Sequence, residues 1–403
     1  EDPSYNFYEV VEEAERYFEG VDITSKGSGY KQFQRWKYQN EYKYYPDGDR
    51  MNVDPHFAEK QYQAFIKRNP RQKTSTSNQW RELGPLRVDS ISGHYSVGLG
   101  RIEDLYVDPI DSNRLYVSSR SGGFWRSIDE GINWTVTTDT LIATGVNTFS
   151  VSPTDPDSVI INVRNARNGT SHGIYRSVDG GLSWTPTNFI PDTLGFGGLG
   201  SNFQILDIAY HPRVPDLIYI GTNDGVFRSD DNLQSWTRQL NGADIKQIAF
   251  HPTNDSIIYL YNEAQGTSPN QALRSLDQGL TYSLSNTVPG NNFNRDVWLS
   301  TSPDCPTCLY FASDNGVWIS KDEGLNFQFL SNPNESCDGF VVNDLDTSNM
   351  IYGYVDIENS FDGGKNFTQR TFWSLGNTNA AGNGFANSYL NSTDYVHADL
   401  RNA

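Results

Sequence analysis

The chain has 403 residues and a formal charge of −18, from 31 basic and 49 acidic side chains. Residues 1–78 carry 12 basic against 13 acidic groups and the remainder 19 against 36, so nearly all the acidity follows residue 78. A surface of that sign repels phosphate backbones and argues against a nucleic-acid partner, and with no run of 18 apolar residues no helix spans a membrane.

In chain order the first elements are helical. Residues 5–19 read as an amphipathic helix, with Phe7, Val10, Val11, Ala14 and Phe18 at helical spacing and Gly20 as terminator. A second helical stretch carries Phe33 and Trp36 and ends before Tyr45-Pro46-Asp47-Gly48. A third follows Asp54-Pro55, with Ala58, Tyr62 and Phe65 on one face, and stops at Asn69-Pro70. A polar linker, 71–78, leads to a strand at Trp80. The expected organisation is a helical segment over 1–75 packing on a body of 76–403. The start at Glu1-Asp2-Pro3, without Met, reads as a mature terminus whose signal peptide has been removed.

The body is a repeat. An eight-residue phrase, first seen as Ser127-Ile-Asp129-Glu-Gly131-Ile-Asn133-Trp134, recurs six times. Its aspartates are Asp129, Asp179, Asp231, Asp277, Asp322 and Asp362, spaced 50, 52, 46, 45 and 40 residues apart. Each copy follows a short β-favouring run such as Gly-Phe-Trp125-Arg or Gly-Val-Phe227-Arg and reads as the hairpin out of that strand. Asp accepts hydrogen bonds from its own turn, and Gly two residues later adopts positive φ. The third copy has Leu233 in place of that Gly, which predicts a distorted turn or one of different length. A second element, a strand ending at a Pro step and then another apolar strand, precedes each phrase: Val107-Asp-Pro109 and Tyr210-His-Pro212 are examples. Four strands per unit of about 45 residues make a propeller blade. The fold class is therefore all-β, a β-propeller of at least six four-stranded blades. Trp80-Arg-Glu-Leu and Tyr395-Val-His397 read as pieces of a seventh blade, so the chain is expected to be incomplete at its C-terminus, with a closed six-blade ring as the alternative.

The phrase Ser-x-Asp-x-Gly-x-Thr/Ser-Trp resembles the Asp-box, or bacterial neuraminidase repeat, of sialidases, xyloglucan-cleaving propellers and the sortilin receptor family. Trp80-Arg-Glu-Leu-Gly84-Pro85, Gly100-Arg101-Ile102 and Ser121-Gly-Gly-Phe-Trp125-Arg-Ser are most similar to sortilin-like secreted proteins of Bacteroidetes. That resemblance implies export by the type IX system, an extracellular or cell-surface location and structural rather than catalytic aspartates.

Candidate chemistry is sparse. A sialidase-type site needs three arginines, a Tyr nucleophile with a Glu, and an Asp acid; Arg101 is where that resemblance places the first Arg. Arg126, Arg176, Arg228 and Arg274 occupy one repeated position and read as exposed residues pairing with neighbouring acids. His211 and His251 share the repeated Pro-turn position and read as structural. His397 and Asp399 read as core residues of a strand. Cys305-Pro-Thr-Cys308 lacks the second pair a metal site needs and reads as a local disulfide or two thiols. No cofactor is expected. The oxygens of Asp47-Gly-Asp49 and Asn223-Asp224 admit calcium, but neither has ligands at regularly spaced positions.

Two functions follow. The first is a non-catalytic surface propeller, an adhesin, scaffold or module binding an extracellular glycan or protein, within a larger surface or secretion complex. Its platform would be shaped by the Gly/Asn-rich insertions at 164–172, 195–202, 263–271 and 376–391, which hold few charged pairs. The alternative is an extracellular polysaccharide-degrading enzyme, hydrolase or lyase, working in the central depression with carboxylates from different blades.

Overall fold

Each repeat folds as a four-stranded antiparallel meander in a computed structural model of the protein, which describes residues 4–51, 57–69, 102–190, 202–263, 270–287, 297–354 and 356–371. The first blade comprises β1 (Asp104–Val107), β2 (Leu115–Ser119), β3 (Gly123–Ser127) and β4 (Thr135–Val136), hydrogen-bonded in that order. Five further sheets of the same order follow, to β24 (Thr368–Gln369). Their innermost strands are β5 (Gly145–Val151), β9 (Ile205–Tyr210), β13 (Asp244–Phe250), β17 (Trp298–Ser302) and β21 (Gly339–Val342), and these are neighbours in succession. The described residues thus form a six-bladed propeller. The strands proposed for a seventh blade, at Trp80 and at 395–399, lie outside the described residues.

Blade packs on blade through aromatic and β-branched side chains. Tyr116 and Phe124 of the first blade bury against Phe149, Ile161 and Tyr175 of the second, with Phe124 edge-on to Phe149 at 5.3 Å. Similar clusters join later blades, for instance Tyr259 and Tyr261 with Leu299 and Phe311. Polar staples run beside them. Arg126, Arg228 and Arg274 donate to the carbonyls of Asp179 (3.3 Å), Gln278 (3.0 Å) and Glu323 (3.0 Å) in the next blade's turn, and Arg176 donates to Asn232 in the same way. These arginines are partly or fully buried, so the expectation that they are exposed is corrected; Arg228 and Arg274 do pair with acids, Asp230 at 3.0 Å and Glu323 at 3.5 Å, but the partner shared by the position is a turn carbonyl one blade on. A guanidinium satisfies such a carbonyl at a seam where no sheet ladder reaches it. One position differs around the wheel. Leu105 is 53% exposed, whereas its counterparts Phe149, Ile208, Ile248 and Leu299 are at most 7% exposed.

The helices belong to a separate compact unit. They are α1 (Phe7–Phe18), α2 (Tyr30–Tyr44) and α3 (Phe57–Arg68), at the positions the spacing predicts. Asn6 caps α1 by accepting the Tyr8 N–H at 2.9 Å. Phe7 packs on Trp36 and Tyr44, both at 5.2 Å, and Phe18 stacks on Phe33 at 5.4 Å, so one face of α2 is filled by α1.

Candidate functional site: the axial depression

Topology assigns the two ends of the wheel different jobs. In each blade the turn after the innermost strand and the aspartate hairpin lie at one end; the loop after the second strand and the link to the next blade lie at the other. The aspartate hairpins saturate themselves. In the first, Ser127 donates to Asp129 Oδ1 at 2.8 Å and accepts the Gly131 N–H at 2.9 Å, while Asp129 accepts the Asn133 N–H (2.8 Å) and side-chain amide (2.7 Å). Asp179, Asp231, Asp277, Asp322 and Asp362 repeat the arrangement. Hydrogen bonds from Asn326 and then Ser320 push Asp322 down to about 2, and those from Asn366 and Ser360 do the same for Asp362. Desolvation works against the Asp179 carboxylate, but bonds from Ser177 and Ser183 still hold it at about 2.

The third hairpin is not distorted. Leu233 takes φ 64° in the glycine's place, donates its N–H to Ser229 at 2.8 Å and buries its side chain, and Ser235 still reaches Asp231 at 2.8 Å. Burial of the leucine offsets the left-handed backbone cost of roughly 1–2 kcal/mol.

At the opposite end five blades converge on a depression of about 300 Å³, lined by Glu103, Arg120, Asn147, Arg164, Gln204, Leu206, Lys246, Gln247, Val297 and Trp298. Irregular backbone aims several of these inward. Pairing of β5 with β6 (Val159–Arg164) skips between Val146 and Phe149, leaving Asn147 unpaired in the ladder. Likewise β9 skips at Leu206 and β13 at Lys246. A bulge re-aims one side chain without breaking the strand, here toward the axis.

The electrostatics of the mouth are pairwise. Glu103, whose side chain is 7% exposed, meets Arg120 at 2.9 Å. Lys246 lies 3.4 Å from Asp244 and 3.0 Å from Glu263, at the end of β14 (Ile258–Glu263). Burial opposes the Lys246 charge, yet the two carboxylates raise its pKa overall. Arg164 is buried beneath Gly145, where a Cβ would lie 2.4 Å from the Arg120 carbonyl and 2.8 Å from that of Arg164. Gln247 bridges two blades: its amide donates to the Leu299 carbonyl at 3.0 Å and its oxygen accepts the Leu299 N–H at 2.6 Å. Just below the lining, Asp207 accepts the Ile248 N–H at 2.8 Å; desolvation raises its carboxyl to about 6, despite that bond and one from Thr148.

Of the candidate catalytic and metal residues singled out in the sequence, none is among those lining this depression, whereas the insertions expected to shape a platform reach it through Arg164, and Glu263 pairs with the lining Lys246. Arg101, His397 and Asp399 lie outside the described residues. His211 and His251 each accept two backbone N–H groups of their own turn through Nδ1, and burial lowers both pKa values. Cys305 and Cys308 are joined in a disulfide at the start of β18 (Cys305–Ser313), and Cys337 is buried. Of the oxygens considered for calcium, Asp47 and Asp49 accept backbone N–H groups of their own loop, while Asn223 accepts the Gln204 N–H and Asp224 pairs with Arg238. No group of three or more His, Cys, Asp or Glu suited to a metal occurs among the described residues. What the sequence reading missed is Glu103, Arg120, Lys246, Gln247 and Trp298. The available signal was position: Glu103 and Trp298 precede or begin an innermost strand, Lys246 and Gln247 sit in one, and Arg120 follows a second strand.

No family model matches the chain. A curated xyloglucanase of Hypocrea jecorina is 31% identical over 157 residues, covering 33% of this chain and 18% of that enzyme. Among solved structures, the GH74 xyloglucanase from Xanthomonas campestris matches with a TM-score of 0.53 at 17% identity, covering 69% of this chain and 46% of that one. The GH74 enzyme of Niastella koreensis matches with a TM-score of 0.54 at 19% identity and the same coverage. The chain spans less than half the length of each. At these identities the solved structures establish the propeller fold. None of these is named as a sortilin-like protein, so the finer resemblance drawn from the repeat receives no support from them. The physical reason is that a self-saturating hairpin serves any propeller.

Proposed function

We propose that this propeller belongs to an extracellular polysaccharide-degrading enzyme of the xyloglucanase kind and that it receives the glycan chain in its axial depression. The observation that carries the reading is the 31% identity to a xyloglucanase over 157 residues. It reverses the order of the two functions drawn from the sequence, where non-catalytic binding came first. The lining fits a carbohydrate: Asn147, Gln204 and Gln247 offer amides, Arg120, Arg164 and Lys246 offer N–H donors, and Trp298 offers an aromatic face. Hydrolysis requires two carboxylates, one donating a proton to the leaving oxygen and one activating water or attacking the sugar. Among the described residues, Glu103 is the carboxylate that lines the depression.

Binding without catalysis is the second reading, and one observation favours it. The carboxylates of Glu103, Asp244 and Glu263 are each engaged by a cation, Arg120 or Lys246. The deciding experiment measures reducing-sugar release from xyloglucan, mixed-linkage β-glucan and cellulose beside a glycan array. Release from a β-glucan, lost in Glu103→Gln, supports the hydrolase. Array binding without release leaves the binding module, and silence in both assays overturns the glycan reading.

A further inference from the structure

The aspartate phrase leaves two of its positions unspecified, and the first two blades fill both with large apolar side chains. These positions precede the aspartate and follow the glycine: Ile128 and Ile132 in the first hairpin, Val178 and Leu182 in the second. The four residues are 66%, 78%, 73% and 58% exposed. The turn chemistry does not ask for them, because the third hairpin closes its hydrogen bonds with Asp230 and Gln234 in the same places. Ile110, 94% exposed, joins them from the turn between β1 and β2.

These turns are tied into one surface. The Glu130 N–H donates to the Asn113 carbonyl at 3.1 Å and the Gly180 N–H to the Asp157 carbonyl at 2.9 Å, so each hairpin is held to the turn beside it. Across the seam between the blades Arg114 pairs with Asp157 at 2.7 Å, and Arg126 donates to the Asp179 carbonyl. The five side chains together expose roughly 600 Å² of apolar surface, the upper end of what a monomeric protein leaves in one patch. A single exposed Ile is ordinary, whereas five such residues at one end of two adjoining blades mark a surface that meets a partner.

Shape and charge select the occupant. Branched aliphatic side chains interdigitate with the apolar face of another protein, as the anchors of an amphipathic helix do in a groove. The same turns carry Asp111, Asp129, Glu130, Asp155 and Asp179, and among the described residues only their Asp108 and Asp157 have a basic partner, Arg114. A second copy of the chain would set one acidic rim against another, and an anionic membrane would meet the same repulsion. A basic partner is the complement.

We propose that the hairpin end of the first two blades is a docking surface for a basic amphipathic helix of a partner protein. Its aliphatic face covers Ile110, Ile128, Ile132, Val178 and Leu182, and its Lys or Arg side chains meet the acidic turns. The surface lies at the end of the wheel opposite the axial depression and stands whether or not that depression holds a glycan.

The test uses the full chain and a fluorescent peptide about 18 residues long, with Leu at i, i+3, i+4 and i+7 and Lys elsewhere. A peptide of the same composition in scrambled order is the control. Binding is read by fluorescence anisotropy for the wild type and for Ile128→Gln/Ile132→Gln/Val178→Gln/Leu182→Gln. The variant is expected to lose about tenfold or more in affinity for the Leu–Lys peptide while its reducing-sugar release is unchanged, and high salt to weaken the wild-type complex several-fold. Ile128→Gln/Ile132→Gln alone carries the test should the fourfold variant fold poorly. Equal binding by wild type and variant, equal binding of the scrambled peptide, or no binding at all overturns the proposal. A wild-type dimer in sedimentation velocity that the variant disperses also overturns it and gives the patch to a second copy of the chain.

Discussion

Gln247→Ala is the most direct probe of how this wheel is held together at its axis. The Gln247 amide forms two bonds to the backbone of Leu299, 3.0 Å as donor and 2.6 Å as acceptor, and so acts as a one-residue ladder between blades that share no strand pairing. Each neutral bond contributes a net of about 1 kcal/mol. Truncation also leaves the Leu299 N–H and C=O without these partners in a partly buried seam, a further cost of about 1–3 kcal/mol if water does not enter. The expected loss is about 2–4 kcal/mol, measured by urea unfolding followed by tryptophan fluorescence at constant m-value. Because Gln247 also lines the depression, the variant should bind glycan more weakly as well. A loss below about 0.5 kcal/mol would refute the reasoning, since water would then replace the amide at no cost.

The six turn aspartates have depressed pKa values in the fold, about 2 for Asp179, Asp322 and Asp362, so their contribution is present above the ordinary carboxylate range near 3.9 and fades as pH falls through the lowered values. Circular dichroism against pH should show acid unfolding across that window, and replacing these aspartates by Asn should flatten it. Asp207 has the opposite sign: raised to about 6, it favours the fold below about 4 and loses that contribution as pH climbs through 6. Asp207→Asn keeps an acceptor for the Ile248 N–H and is expected to raise the midpoint of urea unfolding at pH 7. Gly279→Ala and Gly363→Ala should separate backbone strain from collision, both residues having φ of +76°. A Cβ on Gly279 would fall 2.5 Å from the Tyr219 ring, costing about 2–5 kcal/mol, whereas Gly363 has nothing within 4 Å and should cost about 1 kcal/mol, as read by thermal melts.

Legibility differed sharply between hairpin and seam. The aspartate turn could be read from eight residues because Ser127, Asp129 and Asn133 satisfy one another's polar groups within the phrase. Leu233 shows the limit of that reading: its burial, invisible in the phrase, accompanies a non-glycine residue in a left-handed conformation. The arginines were visible as a repeated position, but their partners lie about 50 residues further on and are carbonyls, which no side-chain pattern records.

The amino-acid order alone determined the blade: period, strand alternation and turn chemistry are local, and local hydrogen bonds are written in neighbouring residues. Tertiary structure decided which side chains share the axis. Glu103, Arg164, Lys246 and Trp298 stand in four different blades, and bulges in β5, β9 and β13 choose which residue turns inward. A one-residue slip of a pleated strand exchanges its inward and outward sets, so that choice is made only when the blades pack.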